Sequence, residues 1–444
     1  MAAKSTQSRF HRTVRYAMFG AFAGASAVFV APLLAQTMGD KQGTWWQFVS
    51  LNKFKFDGAA SCDGSGCHGA GDPTLPAKEG SPGSQYNIWQ THDQHAKAAS
   101  HVTEPELDKN PWMKEIGGKL KIEGDLLASD KCVSCHAAKI PDALQGQNFN
   151  VAEGVSCFHC HGPSSEWISK HQEKGWTQKQ RDSMSHEALL KSIGLFDTKS
   201  IKDRTEMCAS CHLAIDHTLV EAGHPQPIFE QYTFQEKENK HWVDPTGYYV
   251  AKLWAAGQVV ALRDAMHQLE TRAKGGAGEA FVKQAYDQAM THMAMVDAIL
   301  DAKVIDGDKA ALDAAAKPLE EKPDAAAAAA VAKLAGELAG KINAAATPDK
   351  AKTLAVLNAV AKKADLTAKH GRRGAEQQYY ALFNLFAAGY ASAEKLSDAD
   401  YAAVADLIVP LGQQVPLEEP NKELDAAKYQ ADLAKAAEKL ATLQ

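Results

Sequence analysis

The chain has 444 residues, 45% of them apolar and 8% aromatic, with a formal charge of −6. That composition is globular rather than disordered, and long enough for two domains of ordinary size. The first 35 residues hold Lys4, Arg9, Arg12 and Arg15 and no acid, so the remainder carries −10, a body that repels nucleic acid and suits a basic protein partner.

The basic N-terminal stretch runs into a charge-free, mostly apolar segment from Ala17 to Leu34, followed by Ala35-Gln36. This is the layout of a secretory signal over residues 1–35. The apolar run approaches the roughly 20 residues that cross a bilayer, so the segment is expected to be cleaved or to remain as an inner-membrane anchor. Either outcome puts the rest of the chain in the periplasm or on the exterior of the cell envelope. No cysteine directly follows the run, which argues against a lipoprotein.

All eight cysteines lie between Cys62 and Cys211, and each belongs to a pair that ends in Cys-His. Three pairs have the spacing of covalent haem attachment: Cys132-Val-Ser-Cys135-His136, Cys157-Phe-His-Cys160-His161 and Cys208-Ala-Ser-Cys211-His212. Two thiols about one helical turn apart can form thioethers with the two vinyl groups of one porphyrin, and the next residue, a histidine, then reaches the iron. A zinc knuckle would not need a histidine after every second cysteine. A redox dithiol would need one pair, and disulfides would not preserve the triplet.

The first site is longer, Cys62-Asp-Gly-Ser-Gly-Cys67-His68. Its two glycines let the spacer loop out while both sulfurs still meet one porphyrin edge. The competing reading is a Cys62-Cys67 disulfide. With His68 completing the pattern, the expectation is four haem c groups, with His68, His136, His161 and His212 as proximal iron ligands.

Thirteen of the seventeen histidines fall between His68 and His241, and nine of them are surplus to the proximal set: His92, His95, His101, His159, His171, His186, His217, His224 and His241. Methionines such as Met113, Met184 and Met207 are few by comparison. The surplus points to bis-histidine ligation, which closes an iron to substrates and suits electron relay. Spacing alone does not say which histidines serve.

From Ser61 to Trp242 the chain resembles the tetrahaem cytochrome c-554 family and its multihaem relatives. The carrying segments are Tyr86-Asn-Ile-Trp89, His95-Ala-Lys-Ala98 and Gly154-Val-Ser-Cys157 through Gly162-Pro163, with Trp167 and His171, then Ala222-Gly-His-Pro225, Phe229-Glu230 and His241-Trp242. The resemblance implies that His95 and His171 are distal ligands. It implies the same of His217 and His224, for the second and fourth irons, with His186 or His241 as replacements for either. It also implies close-packed porphyrins in parallel and perpendicular pairs, and it admits one five-coordinate iron. The long spacer of the first site departs from the family pattern.

Between sites the chain is polar and rich in Gly and Pro, as in Gly71-Asp-Pro73 and Gly80-Ser-Pro82, so haems would supply much of the core and only short helices are expected over residues 36–245. After Asp244-Pro245 cysteine vanishes and alanine dominates. Apolar residues then recur at helical spacing, as in Val259, Leu262, Met266 and Leu269, in Val282, Ala285, Ala289, Met293, Val296 and Leu300, and in Tyr429, Leu433, Ala436 and Leu440. Breaks at Gly275-Gly-Ala-Gly278, Pro323-Asp324, Pro348-Asp349 and Pro410 to Pro420 divide residues 246–444 into at least five helices, a bundle. The Ala325–Ala330 run reads as a structural helix started by Pro323-Asp324. The cluster Lys369-His370-Gly-Arg372-Arg373 reads as a solvated turn before a docking patch, and His267 and His292 as packed or surface residues.

The fold class expected is therefore mainly α: a multihaem c-type cytochrome domain with little regular structure, followed by an all-α bundle. The function expected is electron relay between periplasmic or membrane redox partners, either other cytochromes or a membrane oxidoreductase, with oligomers allowed. Two alternatives stand beside it. One is a haem enzyme with a five-coordinate iron acting on a small nitrogen or sulfur compound, and the other is a structural subunit of a haem conduit.

Overall fold

The computed structural model describes residues 53–70, 83–103, 106–213, 215–238, 241–417, 419 and 422–443. The expected signal or anchor lies outside the described residues. Among them the fold is mainly α, without a strand; an isolated bridge pairs Phe56 with Gln145.

The first half uses short helices joined by turns. The α-helices of five or more residues are α1 (Gln85–His92), α2 (Pro111–Lys119), α3 (Asp130–His136), α4 (Cys157–His161), α5 (His186–Ile193), α6 (Ile201–His212), α7 (His217–Ala222) and α8 (Gln231–Lys237). Their starts are fixed by short polar caps: Ser185, Ser200, Asp216 and Glu230 each accept from a backbone N–H in the first turn. The apolar clusters here are small. One gathers Phe56, Ala138, Ile140, Leu144, Phe158 and Phe196, another Val102, Leu107, Leu126 and Cys132. Clusters of that size leave room for a cofactor to complete the interior.

The second half holds α9 (Tyr249–Lys274), α10 (Glu279–Asp301), α11 (Lys309–Ala316), α12 (Ala325–Ala339), α13 (Lys350–Ala361), α14 (Asp365–Asn384), α15 (Asp398–Gln414) and α16 (Ala426–Leu440). Helix α9 is buried on nearly all sides, with Trp254, Val259, Leu262, Met266 and Leu269 almost fully enclosed, as befits a helix apolar all round. It packs against α10, α12 and α6. The alanine run of α12 buries Ala327, Ala328, Ala332 and Ala335, small residues that allow close approach, and Asp324 caps it through Ala327 N–H at 2.8 Å. One break differs from expectation: α15 continues through Pro410 to Gln414. Only one intrahelical hydrogen bond is lost to the proline, and Val404, Ile408 and Leu411 hold the helix by burial.

The composition shift after Pro245 coincides with the start of α9, but the core crosses it. Ile201, Ala209, Leu213 and Phe229 belong to the same apolar cluster as α9. A buried polar seam adds direction. Arg272 donates to the Ile215 carbonyl at 3.2 Å and to Gln226 Oε1 at 2.7 Å, and Gln268 donates to the Ile215 carbonyl at 3.0 Å. From α14, Arg373 donates to the Gln226 carbonyl, Gln377 to the Phe229 carbonyl, and Asn384 to Glu230 Oε2. Of the cluster at 369–373, expected as a solvated turn, His370 pairs with Asp287 and Arg372 and Arg373 with Glu376 within α14, and of its side chains only that of Lys369 stays exposed, beside Asp365.

Removing a buried donor strands its acceptors at about 1–3 kcal/mol each. Arg272→Ala is therefore expected to lower unfolding stability by roughly 3 kcal/mol. Chemical denaturation followed by far-UV circular dichroism checks this, and an unchanged midpoint would refute the seam's role.

Candidate metal centre

The Cys-x-x-Cys-His segments owe their geometry to helices. The second forms the C-terminal end of α3, the third is α4 itself, and the fourth ends α6. With 3.6 residues per turn, the two thiols of each lie on one side and the histidine follows on the same face. The first site is a turn instead. A Cβ at Gly64 would stand 3.0 Å from Cys67 Sγ, so a glycine there lets the spacer fold against the thiol. None of the eight cysteines is bridged to another.

Seven of the eight cysteines, all but Cys132, line one cavity of about 910 Å³, together with His68, His161 and His212. Its wall is mostly apolar, with Trp89, Phe158, Phe196, Phe229 and Trp242 among the contributors. Sites also meet each other. Cys62 and Cys157 are joined by a side-chain hydrogen bond, and Cys211 Sγ lies 3.9 Å from the Ser134 carbonyl. The first site thus adjoins the third, and the fourth adjoins the second.

Three of the four histidines expected as proximal ligands face a second imidazole. Ring centres are 6.1 Å apart for His68 and His171, 6.3 Å for His161 and His241, and 6.0 Å for His212 and His95. A metal–imidazole bond of about 2 Å, with about 1 Å from nitrogen to ring centre, separates two rings across one metal by about 6 Å. The donor set therefore fits haem: paired thiols for the porphyrin edge and imidazoles at axial separation.

Partners of Nδ1 fix which nitrogen is left for a metal. His68 Nδ1 lies 3.0 Å from Gln85 Oε1, His136 Nδ1 3.0 Å from the Ala98 carbonyl and His171 Nδ1 3.3 Å from the Trp167 carbonyl. Each acceptor requires the proton on Nδ1 and leaves Nε2 as the ligand atom. Burial, reinforced by the charge of His241, pushes His161 down to about 3, and burial with the charge of His95 pushes His212 down to about 4. Both are neutral imidazoles at pH 7, the form that binds metal.

His95 differs. Burial opposes its charge, yet the hydrogen bonds it donates to Asp93 and Glu238, with their two charges, push it up to about 10. Its position is built by the Gly154-Val155 segment. Val155 N–H donates to the His95 carbonyl at 2.9 Å, and Gly154, at φ 74°, brings the backbone where a Cβ would stand 2.5 Å from that oxygen.

The remaining histidines divide. His159 is buried with Nδ1 accepting from Ser156 N–H and Nε2 facing the Ala137 carbonyl, so both nitrogens serve packing. His186 stacks edgewise on Phe196 and lies 3.7 Å from Asp203 Oδ2. His217, on α7, lies 3.6 Å from Asp216 Oδ1, and no ring contact joins it to a proximal histidine among the described residues. His224 Nδ1 lies 2.8 Å from the Pro225 carbonyl, and the ring is within electrostatic reach of His136, as is His101. Away from the cavity, His292 is enclosed against Gln258 Oε1 at 2.8 Å and His267 lies beside Glu270. Residues that the sequence did not single out are Gln85, Asp93 and Glu238. Only Asp93, a turn cap two residues before His95, leaves a local signal.

Paired thiols followed by an axial histidine on a helix are the attachment chemistry of c-type cytochromes, and haem c is the cofactor that these residues accept. Residues 52–162, a quarter of the chain, match the family described as cytochrome c554 and c-prime, and the chain resembles that family over the first three sites. No curated protein and no solved structure matches the chain.

The three ring pairs also differ in the angle between imidazole planes: 9° for His68 and His171, 46° for His161 and His241, and 79° for His212 and His95. Near-parallel and near-perpendicular axial planes give distinct low-spin ferric spectra. His171→Ala is expected to abolish a rhombic EPR signal, and His95→Ala a highly anisotropic one. Loss of the same signal in both variants would refute the pairing.

Proposed function

We propose that the chain is an exported tetrahaem c-type cytochrome that relays electrons between periplasmic or membrane redox partners through bis-histidine haems. The observation that carries this is the set of three histidine pairs at axial separation around the cavity into which the cysteines open. Haem iron supplies a one-electron couple between ferric and ferrous states. The chain's residues do the rest. His68 with His171, His161 with His241 and His212 with His95 would hold a haem iron, and their Nδ1 partners, where present, leave Nε2 free to bind it. At the second site His224, whose Nδ1 is engaged by Pro225 and whose ring is within electrostatic reach of His136, would be the partner of His136. Apolar walls exclude water, so little reorganisation accompanies electron arrival.

Contacts between the first and third sites, and between the second and fourth, support passage from site to site. The −10 charge beyond residue 35 supports a basic redox partner, and the N-terminal segment supports export. No described helix is long and apolar enough to cross a membrane.

A second reading is favoured by one observation: among the described residues no ring contact joins His136 to another imidazole in the manner of the three pairs, and His136 does not line the cavity. An iron held by His136 alone would be open to a small nitrogen or sulfur compound, making the protein an enzyme.

Pyridine haemochrome quantification with intact mass counts the haems, and EPR during potentiometric titration reads their ligation. Four haems, all low-spin, are expected. Three haems would overturn the first site, and a high-spin signal lost on adding nitric oxide or cyanide would replace relay by the enzyme reading.

A further inference from the structure

Of the imidazoles in the three ring pairs, His95 alone has its Nδ1 against carboxylates among the described residues. Asp93 Oδ1 lies 3.1 Å from it and Glu238 Oε1 3.4 Å. The corresponding nitrogens of His68 and His171 face a carboxamide oxygen and a backbone carbonyl, and Nδ1 of His241 is buried without a hydrogen-bond partner. The two carboxylates thus hydrogen-bond one of these imidazoles, His95, while His241 feels their charge without a hydrogen bond.

Neither carboxylate is there by accident of a mobile side chain. Asp93 is 5% exposed at its side chain, its backbone N–H donates into the end of α1, and its Oδ1 also accepts from His95 N–H at 2.8 Å. The same carboxylate therefore caps the turn and grips the ring. Glu238, 22% exposed, follows α8, where its N–H donates to the Phe234 carbonyl at 3.0 Å. The Phe234 ring in turn lies 5.1 Å from the ring of His212. One short helix thus sets an aromatic wall on His212 and a carboxylate behind His95.

A metal-bound imidazole that donates its second N–H to a carboxylate becomes a more basic ligand, and negative charge behind it favours the more positive oxidation state of the metal. In the water-poor surroundings of the cavity that charge is weakly screened. We propose that Asp93 and Glu238 act as positioning residues that hold the iron between His95 and His212 at a reduction potential below that of an iron whose imidazoles donate only to neutral acceptors. This rests on the reading that His95 and His212 are axial ligands of one haem. The reaction concerned is a one-electron reduction of ferric to ferrous iron by an external donor. No bond is made or broken, and the Nδ1 proton stays on His95. Electrons residing least well at this iron pass on to its neighbours, which gives the relay a preferred direction.

The test uses the full haem-loaded protein and a potentiometric titration followed by visible and EPR spectra. Asp93→Asn and Glu238→Gln keep shape and hydrogen bonding but remove charge. In the double variant one of four midpoints is expected to rise most, by about 59 mV, a tenfold change in the oxidised to reduced ratio for a one-electron couple, with haem content and low-spin signals unchanged. Gln85→Glu, which places a carboxylate at His68 Nδ1, is expected to lower a different midpoint. If Asp93→Asn reduces haem loading through its capping role, Glu238→Gln alone still reads the effect. Four unmoved midpoints at full haem content would overturn the proposal. His95→Ala separates the two levels: failure to open any iron to high spin would overturn the ligation reading, whereas an opened iron with unmoved midpoints in the carboxamide variants would overturn only the role of the carboxylates.

Discussion

The first half of this molecule is organised around one recurring distance, the roughly 6 Å between the rings of three histidine pairs, which is the separation two imidazoles would need to share a metal. Short helices, turns and single hydrogen bonds would not on their own hold His171 against His68 or His241 against His161. Small apolar clusters under Phe56 and Val102 supply the frame, and Nδ1 partners such as Gln85 and the carbonyls of Trp167 and Ala98 set ring orientation. The glycine at 154 belongs to the same requirement, because it lets one backbone approach the other closely enough to fix His95.

The helical half is tied to this frame rather than appended to it. Helix α9 buries its flank against α6, the helix of the fourth Cys-x-x-Cys-His segment, while Arg272, Arg373 and Gln377 donate to backbone carbonyls between Ile215 and Phe229. Buried donors aimed at main-chain acceptors fix position more tightly than apolar contact alone, since a shift of one residue would leave several of them unpaired.

Some of this was legible in the sequence, for physical reasons that differ by residue. The thiol pairs could be read because the Cys-x-x-Cys-His pattern is local and repeats three times, and the long spacer from Cys62 to Cys67 is a turn, as its glycines suggest. Val259, Leu262, Met266 and Leu269 could be read because burial on one helix repeats every three to four residues. Helix α15 could not be read to its end, since the disruption expected at Pro410 is outweighed by tertiary burial. The facing of His241 to His161, and of Glu238 to His95, depends on where α8 lies in space, and no periodicity encodes that. Asp93 left a trace two residues from His95, but the signature of a turn cap does not tell that the same oxygen also meets the ring.

The polar seam has a consequence for how the polypeptide matures. Cys208, Cys211 and His212 leave the ribosome well before Arg272, Arg373, Gln377 and Asn384, so the carbonyls of Ile215, Gln226 and Phe229 wait for donors supplied by later residues. A chain stopped before Tyr249 would carry every thiol and every axial histidine named above and still lack the braces behind its last site. Completeness of the attachment motifs and completeness of the fold are thus separate events along the chain, the second trailing the first by well over a hundred residues.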